Sequence, residues 1–369
     1  MTEPTPDYLL PDPKGGVLLA ARSSSGGKVR ADADCADFSD GKIADTGFEC
    51  GIGELSTLRE EFKTVDKMRQ EFVDSCLFCA YNTMEIKGCA MRIIDSELIK
   101  KTVAQLCIKA NRELPPDVLE AIKNAEKTEP WPEAKRILGL LSENVALAGE
   151  KCLPICQDTG MACVFIELGQ DVHIEGDFEK AVNEGVRLGY EQGLLRKSVV
   201  GDPLRRVNTG DNTPALISLH LTQGDKLRIS VMPKGFGSEN MSALKMLKPS
   251  DGVDGVKKFV LDTVNAAGAN PCPPIVVGVG IGGSFDKAAF LAKKALMRPL
   301  DEPNKDEYYA GLEKELLAAI NATGIGPQGF GGKTTALGLA IETMPTHVAG
   351  LPVAVNISCH ATRRASAEL

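Results

Sequence analysis

The sequence predicts an α/β protein in which a helical N-terminal part is followed by mixed β-sheets flanked by helices. Three observations carry this. Segments of helical period succeed one another between residues 94 and 149. Strand-like and helical segments then alternate to the end of the chain. Ile275-Val-Val-Gly-Val279 is a continuous apolar run of the kind that forms a strand buried on both faces.

Residues 94–110 place Ile99, Val103, Leu106 and Cys107 on one helical face. Pro115-Pro116 restarts the chain for a second helix near 117–126, and a third follows near 132–149. Residues 161–168 read as a short apolar strand, and residues 177–192 return to helical spacing. Residues 215–222 and 226–232 read as paired strands, with Leu227, Ile229 and Val231 alternating with Lys226, Arg228 and Ser230. A helix near 253–267 leads into the 275–279 strand. Helices near 286–296 and 306–321 and strands near 335–342 and 351–357 complete the pattern.

Residues 1–90 differ from this. They hold Gly15-Gly16, Gly26-Gly27, the serine run Ser23–Ser25 and five cysteines, Cys35, Cys50, Cys76, Cys79 and Cys89. One stripe, Leu55, Leu58, Phe62, Val65, Met68 and Phe72, has helical steps, and the rest has neither period. The expected organisation is an N-terminal extension over 1–90, largely disordered and dispensable, or not part of the native chain if initiation occurs at Met91, and a domain over 91–369. Cys76-Leu-Phe-Cys79 has no second pair nearby to complete a zinc site.

The chain of 369 residues is 43% hydrophobic and 25% charged, the balance of a soluble protein with a core. A net charge of −8 gives no reason to expect a nucleic-acid or anionic-membrane partner. No apolar run approaches the roughly 18 residues of a membrane span. The expected compartment is the reducing cytoplasm, where the 11 cysteines are thiols or metal ligands before they are disulfides.

Three cysteines stand apart: Cys156 in Pro154-Ile-Cys-Gln-Asp-Thr-Gly160, Cys272 in Asn270-Pro-Cys-Pro-Pro274, and Cys359 in Ile357-Ser-Cys-His-Ala-Thr-Arg-Arg364. Each sits beside glycine, proline or a polar cluster, as functional loop residues do. A single such cysteine is more often a small buried residue. Their spacing fits neither a zinc ribbon nor a ferredoxin run. Three thiolates from distant loops would leave one corner of a cubane cluster without a protein ligand, and an open iron is a Lewis acid suited to lyase chemistry.

The strings Cys156-Gln-Asp-Thr-Gly160, Val207-Asn-Thr-Gly-Asp211, Met232-Pro-Lys-Gly-Phe-Gly-Ser-Glu-Asn240, Asn270-Pro-Cys-Pro-Pro-Ile-Val-Val-Gly-Val-Gly280, Gly324-Ile-Gly-Pro-Gln-Gly329 and Cys359-His-Ala-Thr-Arg-Arg364 resemble, in order, those of class I fumarate hydratases and the related L-tartrate dehydratases. The resemblance covers about 91–369 and implies the alpha region of an iron–sulfur hydro-lyase with a 4Fe–4S cluster on Cys156, Cys272 and Cys359. The Met232–Asn240 string is closer to the fumarase branch, which implies reversible hydration of fumarate to L-malate. Dehydration of L-tartrate is the alternative.

The resemblance further implies Asp158 and His347 as catalytic groups and Gln157, Arg196 and Gly237 as substrate-binding positions. His347 precedes Cys359 by 12 residues. By side-chain chemistry, Asp158 could relay a proton or simply close a turn. Arg196 offers the planar fork that pairs with a carboxylate, or a solvated charge at a helix end. Lys234 is a weaker site candidate in the same Gly-rich loop as Gly237. His360 is better suited to packing or hydrogen bonding than to catalysis. In single-chain relatives a second domain supplies the remaining groups. A beta subunit is therefore the expected partner, in a hetero-oligomer acting on a small dicarboxylate.

Two further motifs compete. Gly278-Val-Gly-Ile-Gly-Gly283 fits G-x-G-x-x-G between a strand and a helix, which would make the chain a nicotinamide-dependent dehydrogenase. Against this, Asp301 lies in a polar loop, not at a strand end, and Cys272 would have no role. Gly332-Lys-Thr334 resembles the end of a phosphate loop, but Pro327 stands where that motif needs glycine.

Overall fold

The computed structural model of the protein describes residues 91–369, so the expectations for residues 1–90 lie outside the described residues. In chain order the elements are β1 (Arg92–Asp95), α1 (Ser96–Arg112), α2 (Pro116–Thr128), α3 (Pro132–Lys151), β2 (Met161–Gly169), β3 (Val172–Glu175), α4 (Phe178–Gln192), β4 (Leu216–Thr222), β5 (Leu227–Lys234), the single turn α5 (Phe236–Glu239), β6 (Ala243–Leu247), α6 (Gly252–Ala267), β7 (Ile275–Gly282), α7 (Phe285–Ala295), α8 (Glu307–Asn321), β8 (Ala336–Met344), β9 (Leu351–Ser358) and β10 (Ala365–Glu368). Local chemistry sets several starts. Asp95, Asp177 and Asp306 cap α1, α4 and α8 by accepting from backbone amides, and prolines open α2 and α3.

The strands form two four-stranded mixed sheets, ordered β10-β5-β2-β4 and β6-β9-β7-β8, and a two-stranded β1-β3 pair. In the first sheet β2 lies between β4, parallel to it, and β5, antiparallel. The expected pairing of 215–222 with 226–232 is therefore corrected: the two strands flank β2 and do not touch as a hairpin. The turn between them crosses the end of β2, where Gly169 N donates to Lys226 O and Asp171 N to Gly224 O. Both edges of the apolar β2 are thereby hydrogen-bonded.

Helices α1 and α4 cover one face of this sheet. Ile99, Val103 and Cys107 meet Val182, Val186 and Tyr190 over Val164, Ile166, Ile229 and Val231. The second sheet is sandwiched. Helices α6 and α8 supply Val256, Val260, Leu312 and Leu316 to one face, and α7 lays Ala288 and Ala292 on the other. Cys163, Met232, Val276 and Leu296 join the two sheets. Among the described residues no helix is long and apolar enough to cross a membrane.

The strand directions position the site. β2 begins and β5 ends at one end of the first sheet. β7 and β8 begin and β9 ends at one end of the second. Residues 359–364 run directly from that end of β9 to the start of β10, which pairs with β5 from Val231 back to Arg228. The loops at these ends carry Cys156, Cys272 and Cys359.

Candidate active site

Each cysteine loop is held by its own set of bonds. Before Cys156, Ile155 is buried, its N–H donates to Asn111 O at 2.9 Å, and its carbonyl accepts from Asn144 Nδ2 at 2.9 Å. After it, Thr159 Oγ1 donates to Arg196 O at 2.8 Å. Gly160, at φ +75°, lies so close to β5 that a Cβ there would fall 2.7 Å from the Lys234 backbone. Only glycine allows that approach.

Cys272 follows α6 at φ 55°, a left-handed conformation uncommon for a residue with a side chain. Its carbonyl accepts from His360, at 3.4 Å from the backbone N and 3.1 Å from Nδ1. The next carbonyl, of Pro273, accepts from both Gln328 N and Gln328 Nε2 at 2.7 Å. The Cys359 carbonyl accepts from Thr362 Oγ1 at 2.8 Å. His360 thus stitches the Cys359 turn to the Cys272 turn, the hydrogen-bonding role expected of it.

The Cys272 and Cys359 thiols feel their surroundings. Burial pushes the Cys272 thiol above its ordinary value, and Cys359 and Cys156 add to the rise. Burial also pushes Cys359 up, opposed by the positive charges of Arg363 and Lys234. Among the described residues no three His, Cys, Asp or Glu side chains are grouped to hold one metal ion. A cubane makes a different demand, because its thiolates bind separate irons at separate corners.

Asp158 is fixed beside Cys156. Its Oδ1 accepts from Gly160 N and its Oδ2 from Phe236 N, both at 3.0 Å. Gln157 is exposed and its Oε1 accepts from the Cys156 thiol at 3.0 Å. Gly237, adjoining the Phe236 amide, is exposed, and a Cβ there would meet nothing within 4 Å. Arg196 is exposed, and its carbonyl bonds to Thr159 in the Cys156 loop. The chain thus brings Gln157, Asp158, Arg196 and Gly237 to the Cys156 loop.

Two charged groups at this end were underrated or missed in the sequence. Lys234 is 2% exposed, with Nζ 3.2 Å from Glu239 Oε2 and 2.9 Å from Ser238 Oγ. Burial pushes its pKa down against the pull of Glu239. Glu239 also pairs with Lys293 and accepts from Asn356 Nδ2 at 3.0 Å. Burial would raise its pKa, but Lys234 and Lys293 outweigh burial and hold the carboxyl below its ordinary range. The second group is Arg363, 2% exposed, whose Nη2 donates to Asp158 O at 2.6 Å. Its place in the Cys359–Arg364 string was the available signal.

His347 is not brought to this site, which corrects the expectation that it and Asp158 share a cavity on one chain. It is exposed in the loop between β8 and β9, where Thr346 Oγ1 donates to Gly283 O beyond the far end of β7. All eight residues of β9 separate it from Cys359, about 25 Å at ~3.3 Å per strand residue.

A family model described as Fumarate hydratase (Fumerase) matches residues 100–368. The chain belongs to the Fumerase family. It is similar to the "Putative L(+)-tartrate dehydratase subunit alpha" of Methanocaldococcus jannaschii, 46% identical over 274 residues, covering 72% of this chain and 96% of that one. It is also similar to the L(+)-tartrate dehydratase subunit alpha of Escherichia coli and of Shigella sonnei. Each is 32% identical over 270 residues, covering 72% of this chain and 89% of the relative.

In this member of the Fumerase family the two competing motifs have structural explanations. Gly278 and Gly280 lie inside strand β7, whereas the dinucleotide fingerprint places its first glycine in the turn after the strand. A Cβ on either would fall 2.1 Å from a carbonyl oxygen of α7, so they serve helix-on-sheet packing. Gly332-Lys-Thr334 does cradle an anion, but it is the carboxylate of Glu129. That carboxylate accepts from Lys333 N at 2.9 and 3.0 Å, Thr334 N at 3.0 Å and Thr334 Oγ1 at 2.8 Å.

Proposed function

We propose that this chain is the cluster-binding alpha subunit of a hydro-lyase that reversibly hydrates fumarate to L-malate, with a separate beta subunit completing the site. What supports this reading is that His360 bonds the Cys359 turn to the Cys272 turn and Arg363 bonds it to the Cys156 turn, with the Asp158 carboxylate fixed in place there. Soft sulfur donors favour an iron–sulfur cluster, and the buried cation of Arg363 beside them suits an anionic centre. Cys156, Cys272 and Cys359 would hold such a cluster, which would supply Lewis-acid chemistry at the substrate hydroxyl and carboxylate.

The chain's own residues do the rest of its share. The exposed Arg196 binds a carboxylate through its fork, and Gln157 donates an amide hydrogen bond. The open space at Gly237 lets the substrate approach the backbone. Asp158 accepts or returns a proton at the substrate hydroxyl. His347, exposed at the opposite end of the second sheet, takes no part in this chain's share of the site. The names of the relatives, as alpha subunits, support a beta partner. Those names also favour a second reading, L-tartrate dehydration, for which the same carboxylate and hydroxyl contacts would serve.

The test is anaerobic co-expression with the companion subunit, followed by kcat/KM on fumarate and L-tartrate. A preference of tenfold or more for fumarate supports the first reading, and the reverse preference selects the second. An assembled, iron-loaded complex that turns over neither overturns both. In the active complex Asp158→Asn should lower kcat by about 10²–10⁴, the usual worth of a positioned proton-transfer group, with iron content unchanged. Wild-type kcat in that variant removes Asp158 from the chemistry.

A further inference from the structure

Arg363 is among the largest fully buried side chains of the described residues. A guanidinium has five N–H donors and stays charged in a protein. Here Nη2 is engaged by the Asp158 carbonyl at 2.6 Å, while Nε and Nη1 are buried without a hydrogen-bond partner. The neighbouring Arg364 has a carboxylate, Asp117, at 2.6 Å. Arg363 has no such ion pair among the described residues. A buried charge without a counter-charge is strongly unfavourable, so a protein keeps one only where an anion offsets it.

The candidate anion is close by. Arg363 lies in the turn that starts at Cys359, its charge acts on the Cys359 thiol, and its bonded carbonyl lies two residues beyond Cys156. Three thiolates outweigh the positive charge of a resting cubane core, which leaves such a centre anionic. We propose that Arg363 is the fixed counter-charge of the three-cysteine centre and the clamp that holds the Cys156–Asp158 turn against it. This inference rests on the cluster reading above. Arg363 is a positioning residue that touches the protein frame of the centre, and no contact with substrate is assigned to it.

Two properties should follow from one side chain. The charge should make the cluster easier to reduce, and the clamp should slow its loss. The full-length chain, assembled with its companion subunit and purified anaerobically, is compared as wild type, Arg363→Met and Arg363→Lys. The measurements are iron and sulfide content, the cluster's midpoint potential, and the rate of iron loss to a chelator. Arg363→Met should shift the potential to more negative values and lose iron at least tenfold faster. Arg363→Lys, which keeps charge but not the fork, should restore the potential and still lose iron faster than wild type.

A folded Arg363→Met protein with wild-type potential and wild-type iron loss would overturn the inference while leaving the cluster reading intact. If Arg363→Met does not fold, Arg363→Lys decides, and wild-type iron loss in it overturns the clamp. A wild-type complex without iron and sulfide overturns the cluster reading and this inference with it.

Discussion

Replacing Glu129 by glutamine should destabilise the domain by about 3 kcal/mol, a figure that follows from what its carboxylate holds. Glu129 is 4% exposed and follows α2. Oε1 accepts from Lys333 N at 2.9 Å and Trp131 N at 3.3 Å. Oε2 accepts from Lys333 N, Thr334 N and Thr334 Oγ1. Every partner is a donor. Burial would raise the carboxyl pKa, but these bonds outweigh it and hold it below the ordinary range. In Glu129→Gln the amide NH₂ must face one set of donors. Orphaning a buried donor costs about 1–3 kcal/mol, and bonds to a neutral acceptor are each weaker by roughly 1 kcal/mol than bonds to a charged one.

About 3 kcal/mol corresponds to a fall of about 6–10 °C in Tm for a domain of this size. The assay is an anaerobic thermal melt of the full chain against wild type. The loop that Glu129 grips continues from Gln328, which holds Pro273 beside Cys272, so iron retention should weaken along with stability. A Tm within about 1 °C of wild type would show that the cradle does not need a charge.

Two further outcomes are expected. Gly160→Ala combines a positive φ with a Cβ 2.7 Å from backbone, so it should cost about 2–4 kcal/mol and lower iron retention; an unchanged urea midpoint would contradict the close approach. Glu129 and Glu239 both have folded pKa values below their unfolded ones, so their contribution is complete above the unfolded value of about 4.3 and is lost as pH falls through the folded values. The Tm should therefore be flat from pH 7 to about 5 and fall below about 4, and a Tm unchanged at pH 3 would contradict this.

The helices were legible because an amphipathic stripe is a local signal: Ile99, Val103 and Cys107 reveal α1 before any partner is known. The sheet order was not. β4 and β5 are neighbours in sequence, yet both take their partner from β2, and that choice depends on a distant strand. The short strands β1, β3, β6 and β10 hold four or five residues, too few to show a period. At the site, the three cysteines were recognisable by their loop settings. His347 misled because 12 residues look close in sequence, while a strand carries them to the other end of the sheet. Arg363 was hidden because arginine is seldom buried, and its place in the Cys359–Arg364 string marks the loop but not the burial. The Glu129 cradle joins positions 204 residues apart. The glycines of β7 imitate a nucleotide motif because close helix packing and close phosphate approach both demand the absence of a Cβ.

We propose that Cys156, Cys272 and Cys359 together hold an iron–sulfur cluster. The most direct test is iron and acid-labile sulfide analysis of the anaerobically purified chain, with each of the six described cysteines replaced by alanine in turn. If the three cysteines hold the cluster, both elements are lost in Cys156→Ala, Cys272→Ala and Cys359→Ala and stay at wild-type content in Cys107→Ala, Cys152→Ala and Cys163→Ala. Full iron and sulfide in Cys272→Ala, or an iron-free wild type, would contradict it.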